Sequence, residues 1–331
     1  MNELRGILVE QVDRLIGDGG GVAILRAVEA GEWPAGLWGG LEEQGLNLAL
    51  VPEDSGGVGL SWGDAAALWQ VLGRHGAPAP IAETMLGAAL LSAAGIEVPE
   101  GPLGLAVGAV PFGRHVTRLV VLNGASVALH EAGDITPAEN IGREPRDKVT
   151  PGARIARGEL PNSFGPRAGL LGLALIRSAL IAGALERILA LAVDWANTRK
   201  QFGRAIGKFQ AVQQQLAAMA GEVAAVNVAV SQAARAVDAR GLADAGFEIG
   251  CAKIVAGEAA TMGAAIVHQV FAAIGITEDH ELHHFTRRLW SWREEGGTER
   301  LWAAEIGRAA LARGGANLWP DLTARDVQGA N

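Results

Sequence analysis

The chain has 331 residues, 49% of them hydrophobic and 19% charged, enough apolar material for a large core divided over two or three subdomains. Its formal net charge of -8 excludes general nucleic-acid binding. The start of the chain carries Glu3 and Arg5, and the most hydrophobic stretch, 170–193, is broken by Arg177, Glu186 and Arg187, so a cytoplasmic protein with neither signal peptide nor membrane span is expected.

Residues 1–97 read as an N-terminal α-helical domain. Leu4, Ile7, Leu8, Val12, Leu15 and Ile16 follow helical spacing, and the glycine-rich run 17–21 ends that helix. The run follows no strand and lacks GxGxxG spacing, so it reads as a loop rather than a phosphate cradle. A second helix is predicted over 33–45 with Pro34 in its first turn. The apolar run 46–51 closes at Pro52 and a glycine turn, Ser61 or Asp64 caps a helix over 65–73, and another helix covers 81–94.

Residues 98–158 read as a small β domain. The runs 116–121 and 126–130 are β-like around Asn123-Gly124, and 134–157 reads as connections rich in glycine, proline and charge. Residues 159–313 return to helical spacing, with segments over 170–198, after Gln213, over 247–273 and from near Gly297. Their length and alanine-rich faces favour an antiparallel bundle. Residues 314–331 are assigned as a tail.

Between the first two of those segments, Arg199, Lys200, Arg204 and Lys208 are interleaved with Phe202, Phe209, Gly203 and Gly207. Guanidinium for phosphate and ring for base suit a phosphorylated planar ligand. The same composition also describes a solvated basic turn between helices. Further on, His280-Glu281-Leu282-His283-His284 has H-E-x-x-H spacing, which on a helix places two histidines on one face for zinc. No clear downstream ligand set follows it, and no metal is assigned.

The block Thr198-Arg-Lys-Gln-Phe-Gly-Arg-Ala-Ile-Gly-Lys-Phe-Gln-Ala-Val-Gln213 resembles the signature of the acyl-CoA dehydrogenase family. The stretch 50–60 is similar to that family's N-terminal Pro-Glu…Gly-Gly-x-Gly turn. Gln269-Val-Phe-Ala-Ala-Ile-Gly275 and Gly296-Gly-Thr298 resemble its Q-x-F-G-G-x-G and E-G-T motifs. The resemblance covers most of residues 30–312. It implies a mostly α fold with an N-terminal α domain, a reduced middle β domain and a C-terminal four-helix bundle. It also implies FAD and the oxidation of an acyl-CoA at Cα–Cβ, in which a glutamate removes the α-proton.

Three departures shape the expected function. Gly296 occupies the usual glutamate position, leaving Glu295 as the fallback base, and the alternative base region 171–178 contains no carboxylate. The segments that hold a subunit's own flavin in the family have no counterpart in the shortened β domain. Ala272-Ala273 replaces the Gly-Gly of Q-x-F-G-G. What remains matches the donated half of a flavin site: Arg199, Phe202 and Gln269 match residues that reach across a subunit interface in the family. Gln210 matches a glutamine on the same reaching helix, and Ala273 stands at a cofactor-facing position.

This pattern resembles the smaller, non-catalytic subunit of heteromeric α2β2 bacterial acyl-CoA dehydrogenases, found in steroid catabolism with bulky polycyclic acyl-CoAs. The expectation is a chain with no catalytic residue of its own, inactive alone, sharing FAD with a catalytic dehydrogenase-like partner. Two other readings stay open: a self-sufficient dehydrogenase using Glu295, and a flavin-free scaffold of the same fold.

Overall fold

Helical spacing near the N-terminus closes into α1 (Glu3–Asp18), α2 (Val22–Glu29), α3 (Ala35–Glu43), α4 (Trp62–Arg74) and α5 (Ile81–Ala93). The computed structural model describes residues 3–18 and 20–327; Gly19 of the expected glycine loop, the side chain of Leu4 and the last residues of the expected tail lie outside them. Val12 and Ile16 are buried, as their spacing predicts. Helix α2 adds to the expected elements; its eight residues bury only Leu25 and Val28, too short a period to read in isolation. Pro34 stands at the N-cap of α3 rather than inside its first turn. Ser61 caps α4: its hydroxyl accepts the Asp64 N–H and donates to the Asp64 carboxylate.

The sheet comprises β1 (Leu103–Leu105), β2 (Val110–Pro111), β3 (Arg118–Asn123), β4 (Ser126–Thr136) and β5 (Arg146–Glu159), in the order β1-β3-β4-β5-β2. Strands β1 and β3 run parallel and the other pairs antiparallel. The β3–β4 hairpin turns on Gly124-Ala125, one residue beyond the expected pair, because Asn123 is itself paired with Ser126. Much of the stretch expected as connections is the strand β5. Its ladder with β4 shifts register at several points, one near Pro151, and most of its side chains face solvent, so no apolar alternation marks it.

The rest of the described chain forms α6 (Ala168–Thr198), β6 (Lys200–Gln201), β7 (Arg204–Ala205), α7 (Gln210–Arg240), α8 (Gly246–Phe271), α9 (Leu282–Trp292), α10 (Glu299–Arg313) and α11 (Gly315–Val327). Helix α11 occupies most of the expected tail, with Pro320 inside it. The architecture is a helical N-terminal domain, a small β domain and a C-terminal helical bundle.

Helix α6 is the axis of the fold. A Cβ added to Gly73 of α4 would stand 2.0 Å from the Leu180 carbonyl oxygen, and one added to Gly183 of α6 would stand 1.8 Å from that of Gln70. The two helices therefore meet backbone to backbone, a proximity that only glycine allows. By length and composition alone, α6, α7 and 246–276 are apolar enough to cross a membrane. In α6, 94% of the most apolar window is buried within the protein, whereas the figure for α7 is 28%. Ala217, Ala218, Gly221, Ala224, Ala225 and Val228 lie exposed along α7.

Candidate functional site

The basic stretch that follows α6 folds back at once. Lys200 pairs with Ala205 and Gln201 with Arg204, leaving Phe202 and Gly203 as the turn, with φ of 51° and 78°. Two positive φ values suit a primed hairpin turn, in which glycine, asparagine and aspartate are the usual occupants. Phenylalanine is a strained choice there, and its ring is 92% exposed. Neither backbone preference nor core packing accounts for it.

Beside this turn lies a trough of about 690 Å³ that brings together four of the sequence-predicted residues, Arg199, Phe202, Gln269 and Ala273. Gln210, the first residue of α7, is exposed but lies outside the trough's lining. Sequence reading missed the aromatic wall. Trp195 stacks on Phe271 at 5.2 Å with planes 18° apart, and the Arg199 guanidinium lies 5.9 Å over the Trp195 ring. The available signal was spacing: Trp195 precedes Arg199 by four residues on the last turn of α6. Gln201 and Gln215 add amide groups to the lining. Ala272, replacing a family glycine, keeps a glycine-like backbone at φ 55° and ψ -141° where it ends α8.

A second cavity, of about 670 Å³, surrounds Gly296. Its walls include Leu105, Val107, Pro111, Leu170, Leu173 and Leu301, with Glu139 and Glu294 exposed at its edge. Gly296 has φ 70°, and an added Cβ would stand 2.8 Å from both the nitrogen and Cα of Ala174 on α6. No side chain fits at that position without moving backbone. Glu295 points into an ion-pair network: its Oε1 is 2.8 Å from Arg146 Nε and its Oε2 is 2.6 Å from Arg177 Nε. Arg177 Nη2 is also 2.6 Å from Glu83, and Arg146 Nη2 is 3.0 Å from Glu144. Burial opposes ionisation of Glu295, but the Coulomb fields and hydrogen bonds of Arg146 and Arg177 outweigh it and hold the carboxyl at about 2.

The H-E-x-x-H residues do not share a helix face. His280 precedes α9 and packs 4.5 Å from the Phe271 ring, Glu281 pairs with Arg187, and His284 is 2.8 Å from Glu29. Among the described residues no cluster of three metal-ligating side chains forms.

Residues 172–311 match the model of the acyl-CoA dehydrogenase C-terminal domain, and residues 21–98 that of the acyl-CoA dehydrogenase N-terminal domain. The chain is 32% identical over 295 residues to the acyl-CoA dehydrogenase IpdE2 of Mycobacterium tuberculosis, covering 86% of this chain and 91% of that protein. Its fold is similar to a chain of the ChsE4-ChsE5 complex from Mycobacterium tuberculosis, with a TM-score of 0.78 and 24% identity over 93% of this chain and 97% of that one. A chain of the Tcur3481-Tcur3483 steroid ACAD G363A variant superposes with a TM-score of 0.82 and 24% identity, over 95% of this chain and 99% of that one. By sequence and by fold, this chain belongs to the acyl-CoA dehydrogenase family.

Proposed function

We propose that this chain is the non-catalytic subunit of a heteromeric, flavin-dependent acyl-CoA dehydrogenase. It donates Arg199, Phe202 and Gln269 to an FAD site completed by a catalytic dehydrogenase-like partner, in an α2β2 assembly that oxidises a bulky polycyclic acyl-CoA. The observation that carries this reading is Phe202, a strained and 92% exposed aromatic ring beside Arg199 and the open trough. Such a ring is stabilised when a partner or planar ligand covers it. The trough suits FAD: Arg199 offers a guanidinium for phosphate, Gln269, Gln201 and Gln215 offer amides, and Trp195 and Phe271 form a flat wall. FAD, when bound, supplies the hydride acceptor.

Within this reading, Arg199 and Gln269 hold and orient, and Phe202 excludes water. No residue of the chain takes the α-proton. Glu295 is poorly suited to that role because both its oxygens are engaged by arginines and its pKa of about 2 leaves almost no affinity for a proton at neutral pH. The cavity at Gly296 is a poor second flavin site, with Glu139 and Glu294 at its edge and its arginines already paired. Two relatives lend support: ChsE4-ChsE5 is described as a complex, and Tcur3481-Tcur3483 as a steroid ACAD.

The test is a visible absorption spectrum of the chain purified alone and co-expressed with a dehydrogenase-like partner. Colourless alone and yellow together, with one flavin per unlike pair, is the expected result. Flavin bound to the chain alone, or two flavins per pair, would favour the self-sufficient enzyme and overturn this reading.

A further inference from the structure

Away from the flavin trough, α2 and α9 meet around one carboxylate. The Glu29 side chain is 6% exposed; it lies 2.6 Å from Arg287 Nη2, 2.6 Å from Arg288 Nη1 and 2.8 Å from His284 Nδ1. One carboxylate does not satisfy all of these groups. Among the described residues, His284 Nε2, Arg287 Nε and Arg288 Nη2 are buried and have no hydrogen-bond partner. Buried polar atoms without partners are rare in native proteins, and of these three His284 Nε2 belongs to a side chain that lines a cavity.

His284, with a side chain 4% exposed, lines a cavity of about 400 Å³. Arg26 of α2, Arg143 of the β4–β5 connection and His283 share that lining, with Glu278 as an acidic neighbour besides Glu29. Arg26 donates one N–H to the Glu278 carbonyl, and its other donors are uncommitted to that bond. Two guanidiniums from separate parts of the chain thus converge with a buried imidazole, in a protein whose overall charge is -8. Guanidiniums repel a metal cation and attract an oxyanion.

The imidazole adds a third contact. With Nδ1 bonded to Glu29, Nε2 is the one ring nitrogen that His284 has left for a ligand in the cavity. A phosphate group brings a charge of about -1.5 to -2 and three strong acceptor oxygens, enough to meet both guanidiniums and the imidazole together. We propose that this cavity binds a phosphate monoester, gripped by Arg26 and Arg143 with His284 Nε2 as its third contact. The inference is independent of the flavin reading.

Isothermal titration of the purified full chain with inorganic phosphate, sulfate and adenosine 3′-phosphate tests it. Saturable binding of phosphate is expected, with sulfate as the comparison oxyanion. Arg26→Ala and Arg143→Ala, both at exposed positions, should each weaken phosphate binding by about tenfold with the thermal midpoint unchanged. Adenosine 3′-phosphate binding more tightly than inorganic phosphate would support it and identify a nucleotide as the source; the reverse order would support a free-phosphate site. No saturable heat with any phosphate, or phosphate and sulfate binding alike in the wild type and the Arg26→Ala/Arg143→Ala variant, overturns the proposal.

Discussion

Arg177 Nε stands 2.6 Å from Glu295 Oε2, next to the position where the resembled family carries its catalytic base. The contact is one step in an alternating row, Glu83–Arg177–Glu295–Arg146–Glu144. Glu144 also accepts from Trp292 Nε1 and Asn140 Nδ2, and lies 3.7 Å from Arg288, which continues the row to Glu29. Charges buried this deeply persist because each is paired, and removing one leaves its neighbours uncompensated. Each carboxylate in the wall beneath Gly296 is thereby paired with an arginine.

Acid should therefore weaken this fold early. Burial works against the charged forms of Glu295 and Glu29, but their cationic partners hold both at about 2, against 4.5 for a free glutamate. Folded values below the unfolded one mean stabilisation that is complete above the unfolded pKa and lost as pH falls from about 4.5 toward 2. Each group contributes about 3 kcal/mol to that pH-dependent loss. Urea midpoints measured from about pH 6 to about pH 3 should fall steadily over the lower half of the range; a flat profile would contradict the buried row.

Restoring the glutamate should not restore an enzyme. In Gly296→Glu the new Cβ meets the α6 backbone at 2.8 Å on a residue with φ 70°. Strain and overpacking together should cost about 2–4 kcal/mol and lower the thermal midpoint. Acyl-CoA-dependent bleaching of flavin by this variant, expressed alone, would show that the loop adapts after all.

Phe202 separates binding from stability. Phe202→Asn replaces a strained, exposed ring with a residue that tolerates positive φ, so the chain alone should gain up to about 1 kcal/mol. The complex should nonetheless lose flavin, read as the ratio of visible to ultraviolet absorbance after gel filtration. Unchanged flavin content in Phe202→Asn and Arg199→Ala together would remove this turn from the cofactor site.

Ala272→Gly should stabilise. The alanine sits at φ 55° and ψ -141°, a region where a Cβ costs about 1–3 kcal/mol, while glycine returns up to about 1 kcal/mol in unfolded-chain entropy. The net expectation is a gain of about 1 kcal/mol in chemical denaturation, and a loss would mean that the Ala272 methyl makes packing contacts outweighing its strain.

Local chemistry was legible in the chain itself. The Ser61 cap, the β3–β4 hairpin to within one residue and the long helices of the bundle follow from spacings of a few residues, whereas the grouping of Arg199, Phe202, Gln269 and Ala273 was implied by the family resemblance and not by any local spacing. Helix α2 escaped because eight residues show barely two turns of period, and β5 escaped because a strand facing solvent on most of its length carries no apolar alternation.

Sequence by itself determined the family, the helical bundle and the absence of a carboxylate at Gly296, because each is written in one residue or one short period. Tertiary structure alone decided what the remaining charges do. Glu295 meets Arg177 from 118 residues away and Arg146 from 149, and His284 meets Glu29 from 255. No local pattern encodes such pairings. They arise because folding carries these groups into a low-dielectric interior where an ionised carboxylate persists only beside a cation, and that requirement converts a plausible base into a locked anion.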